Sequence, residues 1–167
     1  LRAAEQADVV VTSGGVSVGE EDHVKTQVER HGRLELWKLA IKPGKPLAFG
    51  RIGATPFIGL PGNPTSVYVT FNLVARPFLL TMQGQADSAL PVLTARAEFS
   101  IDKPGLRQDY QRVRLERAGG ELVAQRFGNQ SSGVLSSVSY SDALAVIRPG
   151  QTLARGDEVE IILLDLL

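Results

Sequence analysis

The chain has no cysteine, and that absence removes disulfide staples, thiolate zinc sites and cysteine nucleophiles from consideration. Histidine is nearly as scarce. His23 and His31 are the only two, which argues against a conventional zinc enzyme. Neither sign of charge is in excess, because 18 basic residues balance 18 acidic ones, so nothing calls for nucleic acid or an anionic membrane as partner. No run approaches the roughly 20 apolar residues that cross a bilayer, and residues 1–8 lack a signal-peptide core. These absences point to a cytoplasmic globular protein. Its 167 residues leave room for one ordinary domain or two small ones, at about 150 residues per domain.

What the sequence does have is a set of polar, glycine-bearing loops between apolar runs. Val9, Val10 and Val11 predict a strand covered on both faces, and residues 12–19 then alternate small hydroxylated residues with three glycines. Residues 23–30 follow as a helix with Val24 and Val28 on one face and Gly32 as its stop. Open α/β sheets bind ligands at such strand-to-helix loops, where glycine lets the backbone approach an anion and free amides donate to it. Ser13, Gly14, Gly15, Ser17, Gly19 and Asp22 are therefore candidate ligand contacts, although a tight turn alone would also use the glycines.

Residues 34–41 read as a second strand, 47–50 and 56–60 as a third and fourth around a turn at Gly53. Between them, Lys42-Pro43-Gly44-Lys45-Pro46 displays two lysines on a stiff loop, since the prolines fix φ and the glycine permits the bend. Taken alone, such a loop could serve solubility only. Residues 59–66 again join a short apolar strand to a helix: Asn63 suits the N-cap and Pro64 the first helical position. Val67, Phe71, Val74, Phe78 and Met82 recur on one helical face, Pro77 should kink the helix, and Tyr68 and Phe71 read as core. Capping explains Asn63 but not Pro61 and Gly62, so this is a second candidate ligand loop at the same sheet edge.

Periodicity fails over residues 83–91, which divides the chain into residues 1–88 and 89–167. Five short strands follow at 92–100, 110–117, 121–125, 143–147 and 158–164, with turn residues between them, as in a small antiparallel barrel or sandwich. Arg107 and Arg112 in its first long turn, and the hydroxyls and amides of residues 128–133, are chemically suited to an oxyanion. Arginines on a hairpin surface are also commonplace.

Three motifs in fixed order carry a resemblance: Thr-Ser-Gly-Gly-Val-Ser-Val-Gly-Glu-Glu-Asp at 12–22, Lys-Pro-Gly-Lys-Pro at 42–46 and Gly-Leu-Pro-Gly-Asn-Pro-Thr-Ser at 59–66. Together they resemble the molybdopterin molybdenumtransferase family, the bacterial molybdenum-insertion enzymes whose eukaryotic counterpart is the E domain of gephyrin. Arg107 to Arg112, residues 128–132 and the closing Gly156-Asp157-Glu158-Val159 are similar to that family's C-terminal domain, so the resemblance covers essentially the whole chain. It implies an α/β molybdopterin-binding domain with a truncated parallel sheet, its N-terminal part missing, followed by a small all-β barrel.

The resemblance further implies a cytoplasmic enzyme of molybdenum cofactor biosynthesis, inserting molybdate into adenylylated molybdopterin with release of AMP and using Mg2+. As partners it implies a second copy in the full-length protein and molybdopterin adenylyltransferase. By the same resemblance, Ser13, Gly14, Gly15, Ser17 and Gly19 contact pterin or phosphate, as do Gly62, Asn63 and Pro64 on the second loop. Asp22 is the magnesium or substrate ligand, with Asp8 behind it, and Lys42 and Lys45 face molybdate or phosphate. Ser66, one of Arg107 and Arg112, and Ser132 complete an oxyanion pocket across the domain cleft. Two rivals stand beside this reading. Molybdopterin adenylyltransferase shares the Ser-Gly-Gly loop but lacks the barrel, and a gephyrin-like dimeric scaffold would be non-catalytic.

Overall fold

The computed structural model describes residues 2–16 and 23–164. The first half runs α1 (Arg2–Gln6), β1 (Val10–Ser13), α2 (His23–His31), β2 (Gly32–Lys38), β3 (Ile41–Lys42), β4 (Pro46–Ile52) and β5 (Thr55–Leu60). A continuous helical run follows: α3 (Pro64–Thr70), a π-helical turn (Phe71–Ala75) and α4 (Arg76–Met82). The second half contains β6 (Val92–Ala97), β7 (Gln108–Ala118), β8 (Glu121–Arg126), α5 (Ser136–Tyr140), β9 (Ala143–Ile147) and β10 (Glu158–Leu163).

The first sheet has the order β1-β5-β4-β2. Its parallel character rests on the β1–β5 pairing, whereas β5–β4 and β4–β2 are antiparallel, so the sheet is mixed. A two-residue turn with Gly53 at φ +61 closes the β4–β5 hairpin. Among the described residues the expected burial of β1 on both faces does not hold: its exposure alternates along the strand, and Val11 is 41% exposed. A β-branched run reports strand propensity; it does not report whether a neighbour covers the strand.

The expected second strand at 34–41 is two strands in two different sheets. β2 stays with β4, while Ile41 and Lys42 of β3 pair in parallel with Gln108 and Asp109 of β7. One backbone thus stitches the α/β half to the barrel. The barrel closes through β7–β8–β6–β10–β9 and back to β7, with all pairings antiparallel except β6–β8. Strand alternation sends Ala97, Val113, Ala145, Ile147 and Ile161 inward. The outer face carries Tyr110, Leu144 and Val146, which pack with Val69 of α3.

The helical run packs Val67, Val74 and Phe78 of its expected apolar face against the core and buries a second side that the spacing does not predict. Thr65, Ser66, Val69, Thr70, Asn72 and Ala75 are the buried residues, whereas Phe71 is 36% and Met82 43% exposed. Two of the buried polar side chains are satisfied within the helix, the Thr70 hydroxyl donating to the Ser66 carbonyl at 2.7 Å and the Asn72 amide to the Tyr68 carbonyl at 2.9 Å, while the Thr65 hydroxyl donates across to the Val134 carbonyl at 3.4 Å. The expected irregularity at Pro77 is present as the wider π-helical turn just before it; an interior proline lacks the N–H and crowds the carbonyl four residues back.

Candidate functional site

The two glycine-bearing loops meet at one rim. Parallel pairing of β1 with β5 puts their carboxyl ends side by side, and the Gly14 amide donates to the Leu60 and Pro61 carbonyls at 3.0 and 3.2 Å. A Cβ on Gly14, whose φ is +80, would sit 3.8 Å from the Gly62 Cα. Val16 is buried over β5, where a Cβ on Gly59 would meet its Cγ1 at 2.5 Å. Gly15 is exposed beside it. Ser17, Gly19 and Asp22 lie outside the described residues, and Asp8 is exposed ahead of β1.

Asn63 caps α3, its side-chain oxygen accepting from the Ser66 amide at 3.4 Å. Ser13, Gly62 and Pro64 line a hollow of about 470 Å³ with Val67, Tyr68, Phe71, Leu135 and Val138. Tyr68 packs against the core as expected while also edging this hollow, whereas Phe71, likewise expected in the core, is 36% exposed. This hollow lies on one flank of α3.

A second cavity, of about 290 Å³, is lined by residues 42–46, Ser66, Arg107, Gln130, Ser131 and Ser132. Four segments far apart in sequence converge there, and they bring together Lys42, Lys45, Ser66, Arg107 and Ser132. The lysine loop is held from three directions. The Leu39 amide donates to the Lys45 carbonyl at 2.9 Å, the Arg107 guanidinium to the Ile41 carbonyl at 3.1 Å, and Gly44 packs against α3 with φ +110. Pro43 and Gly44 are buried while Lys42 and Lys45 are exposed, so the loop's body is anchored and its cations are presented.

Among the described residues three cations line this cleft and no carboxylate does. Such a surface favours an anion with several acceptor oxygens, since guanidinium, ammonium and hydroxyl donors converge on it. Lys42 is partly spoken for: its ammonium lies 2.8 Å from Asp109 Oδ2, and the other Asp109 oxygen is buried with no hydrogen-bond donor. Among the described residues Lys45 forms no ion pair.

The two arginines separate cleanly. Arg107 lines the cleft; Arg112 does not, and its assignment as a direct anion contact is corrected here. Arg112 is 0% exposed, its Nε donating to Ser137 Oγ at 3.0 Å and its Nη2 to the Ser131 carbonyl at 3.2 Å. Burial pushes its pKa below the usual arginine value while the charge of Asp109 pulls it back up. The reason for its position is strand parity: Tyr110, Arg112 and Arg114 share the outer face of β7, which α3, the 128–133 loop and α5 cover.

Asp109 escaped the sequence reading, and Gln130 and Ser131 entered it only as part of the 128–133 loop. Gln130 clamps its loop to β7 by accepting from the Arg112 amide at 2.9 Å and donating to the Arg112 and Phe127 carbonyls, both at 2.9 Å. The amide-rich loop was a visible signal for Gln130 and Ser131; nothing local marks Asp109.

Comparison with known proteins agrees with this geometry. Residues 1–81 match the family described as "Probable molybdopterin binding domain", and residues 94–164 the family described as "MoeA C-terminal region (domain IV)". The molybdopterin molybdenumtransferase of Haemophilus influenzae is 39% identical over 164 residues, an alignment covering 96% of this chain and 41% of that protein. The molybdenum cofactor synthesis protein cinnamon of Drosophila melanogaster is 37% identical over 168 residues, covering 95% and 27%. A solved molybdopterin biosynthesis MoeA protein from Pyrococcus horikosii superposes with a TM-score of 0.77 at 32% identity, over 98% of this chain and 39% of that one. The chain therefore spans at most about two fifths of the length of these relatives. The chain thus joins a region matching a probable molybdopterin binding domain to one matching the MoeA C-terminal region, and along its length it is similar to molybdopterin molybdenumtransferases.

Proposed function

We propose that the cleft between the lysine loop and the 128–133 loop binds molybdate, and that the protein inserts it into adenylylated molybdopterin with release of AMP during molybdenum cofactor synthesis. The observation that carries this reading is the convergence of Lys42, Lys45, Ser66, Arg107 and Ser132 on one cavity in whose lining the described residues place no carboxylate. Both substrates are anionic, so bringing them together requires fixed cations and donors that offset their repulsion. Lys45 and Arg107 hold the oxyanion, with Ser66 and Ser132 as further donors. The neighbouring hollow at Ser13, Gly62 and Pro64 takes the organic substrate, and the rim at the exposed Gly15 admits its phosphate, the Gly14 amide being held by the Leu60 and Pro61 carbonyls. The names of the relatives support the reaction class.

Magnesium belongs to the same reading, with Asp22 as its ligand. The described residues do not supply a site for it: they contain no cluster of three acidic or histidine side chains, and Asp109 is engaged by Lys42. No step is routed through the ion here. A homodimer, cytoplasmic location and division of the chain into residues 1–88 and 89–167 complete the proposal.

The test is a calorimetric titration with tungstate, a molybdate analogue of the same charge and shape, repeated as NaCl rises. Saturable binding that weakens steeply with salt is expected, because the lining cations are largely solvent-facing. Absence of binding at low salt would contradict the reading.

A further inference from the structure

Arg112 is the largest fully buried side chain described, and none of the ion pairs among the described residues includes it. An isolated buried charge is costly, so its retention asks what compensates it. The Ser131 carbonyl and Ser137 hydroxyl supply dipoles but no negative charge. Among the described residues the acid whose charge acts on Arg112 is Asp109, and Asp109 is already bonded to Lys42. The group of Lys42, Asp109 and Arg112 therefore keeps one net positive charge.

That charge sits one layer behind the cleft. Ser131, whose carbonyl accepts from Arg112, itself lines the cavity, as does Gln130, which brackets the Arg112 backbone. Ser137 continues the connection: its hydroxyl accepts from Arg112 and donates to the Val134 carbonyl at 2.6 Å, which also accepts from Thr65 of α3 at 3.4 Å. Simple tethering of these segments would need only neutral donors, and an amide side chain would supply them without burying a cation.

We propose that Arg112 is a positioning residue for oxyanion binding: a buried cation whose counter-ion is the anion held across the wall formed by residues 130–132. It touches no substrate; it acts through that wall. The inference rests on the oxyanion reading of the cleft.

The test compares Arg112→Met, Arg112→Lys and Ser137→Ala with the wild-type chain, reading tungstate affinity by calorimetry and folding by circular dichroism and thermal melting. Arg112→Met should bind about tenfold more weakly, and the loss should persist at high salt because a buried charge is poorly screened. Arg112→Lys should restore affinity to within about threefold of wild type even though lysine cannot reproduce the two-pronged tether and the melting temperature stays low. Ser137→Ala, which breaks one tether and keeps the charge, should bind within about twofold of wild type. Equal weakness of folded Lys and Met variants would overturn the inference, as would wild-type affinity in the Met variant. Should neither arginine variant fold, a tenfold loss in Ser137→Ala would overturn it by assigning the effect to the tether. A wild-type chain that binds no tungstate would instead overturn the functional reading itself.

Discussion

Replacing Lys45 by alanine is expected to weaken tungstate binding about 10- to 100-fold, since a charge-assisted hydrogen bond contributes roughly 1.5–3 kcal/mol. Lys45 has this weight because the described residues give its ammonium no carboxylate, while its backbone is fixed by Leu39. Lys42 is different. Its charge is already met by Asp109 at 2.8 Å, so Asp109→Asn, which keeps the shape and removes the negative charge, is expected to tighten tungstate by several-fold. Calorimetry of the two variants side by side checks both signs. A Lys45→Ala chain that binds as well as wild type would remove the lysine loop from the site.

Gly44→Ala is expected to damage both stability and binding. At φ +110 an L-residue is strained by about 1–2 kcal/mol. The added Cβ would also lie 2.3 Å from Cγ2 of Thr70, a β-branched side chain that is 0% exposed and held by the Ser66 carbonyl. Overpacking of this kind costs roughly another 1–3 kcal/mol. The loop can relieve the clash only by moving off α3, which carries Lys45 away from Ser66 and Arg107. A fall in denaturation free energy of about 2–5 kcal/mol, with loss of tungstate binding, is the expected result; a chain that keeps both would show that the loop does not need its seat on α3.

Much of the cleft was legible in the sequence, and the reason is locality. Lys42 and Lys45 stand in a five-residue loop whose prolines and glycine announce its stiffness, and Asn63 and Pro64 announce the start of α3. Arg107 and Ser132 were legible as chemistry. What escaped is what depends on pairings far apart in the chain. That Ile41 and Lys42 leave the first sheet for the barrel follows from their register against Gln108 and Asp109, which no local pattern encodes. The same pairing makes Asp109 the partner of Lys42. Arg107 and Arg112 look equivalent as letters, yet the parity of β7 and the cover over its outer face send one to the cleft and bury the other.

The helical run from Pro64 to Met82 teaches a related point. Its apolar spacing correctly predicted a helix with Val67, Val74 and Phe78 packed on the core, but it missed a second buried side, where Thr65, Ser66 and Thr70 are small enough to let the lysine loop and barrel approach closely. The larger Tyr68 and Phe71 edge the hollow. Likewise Val11 is apolar and β-branched but exposed, since coverage comes from neighbours and not from the strand itself.

The most direct measurement is a tungstate soak of crystals of this chain, with the heavy atom located by its anomalous scattering. The account predicts a peak in the cavity bounded by Lys45, Ser66, Arg107 and Ser132. Anion density elsewhere, with that cavity holding only solvent, would contradict it.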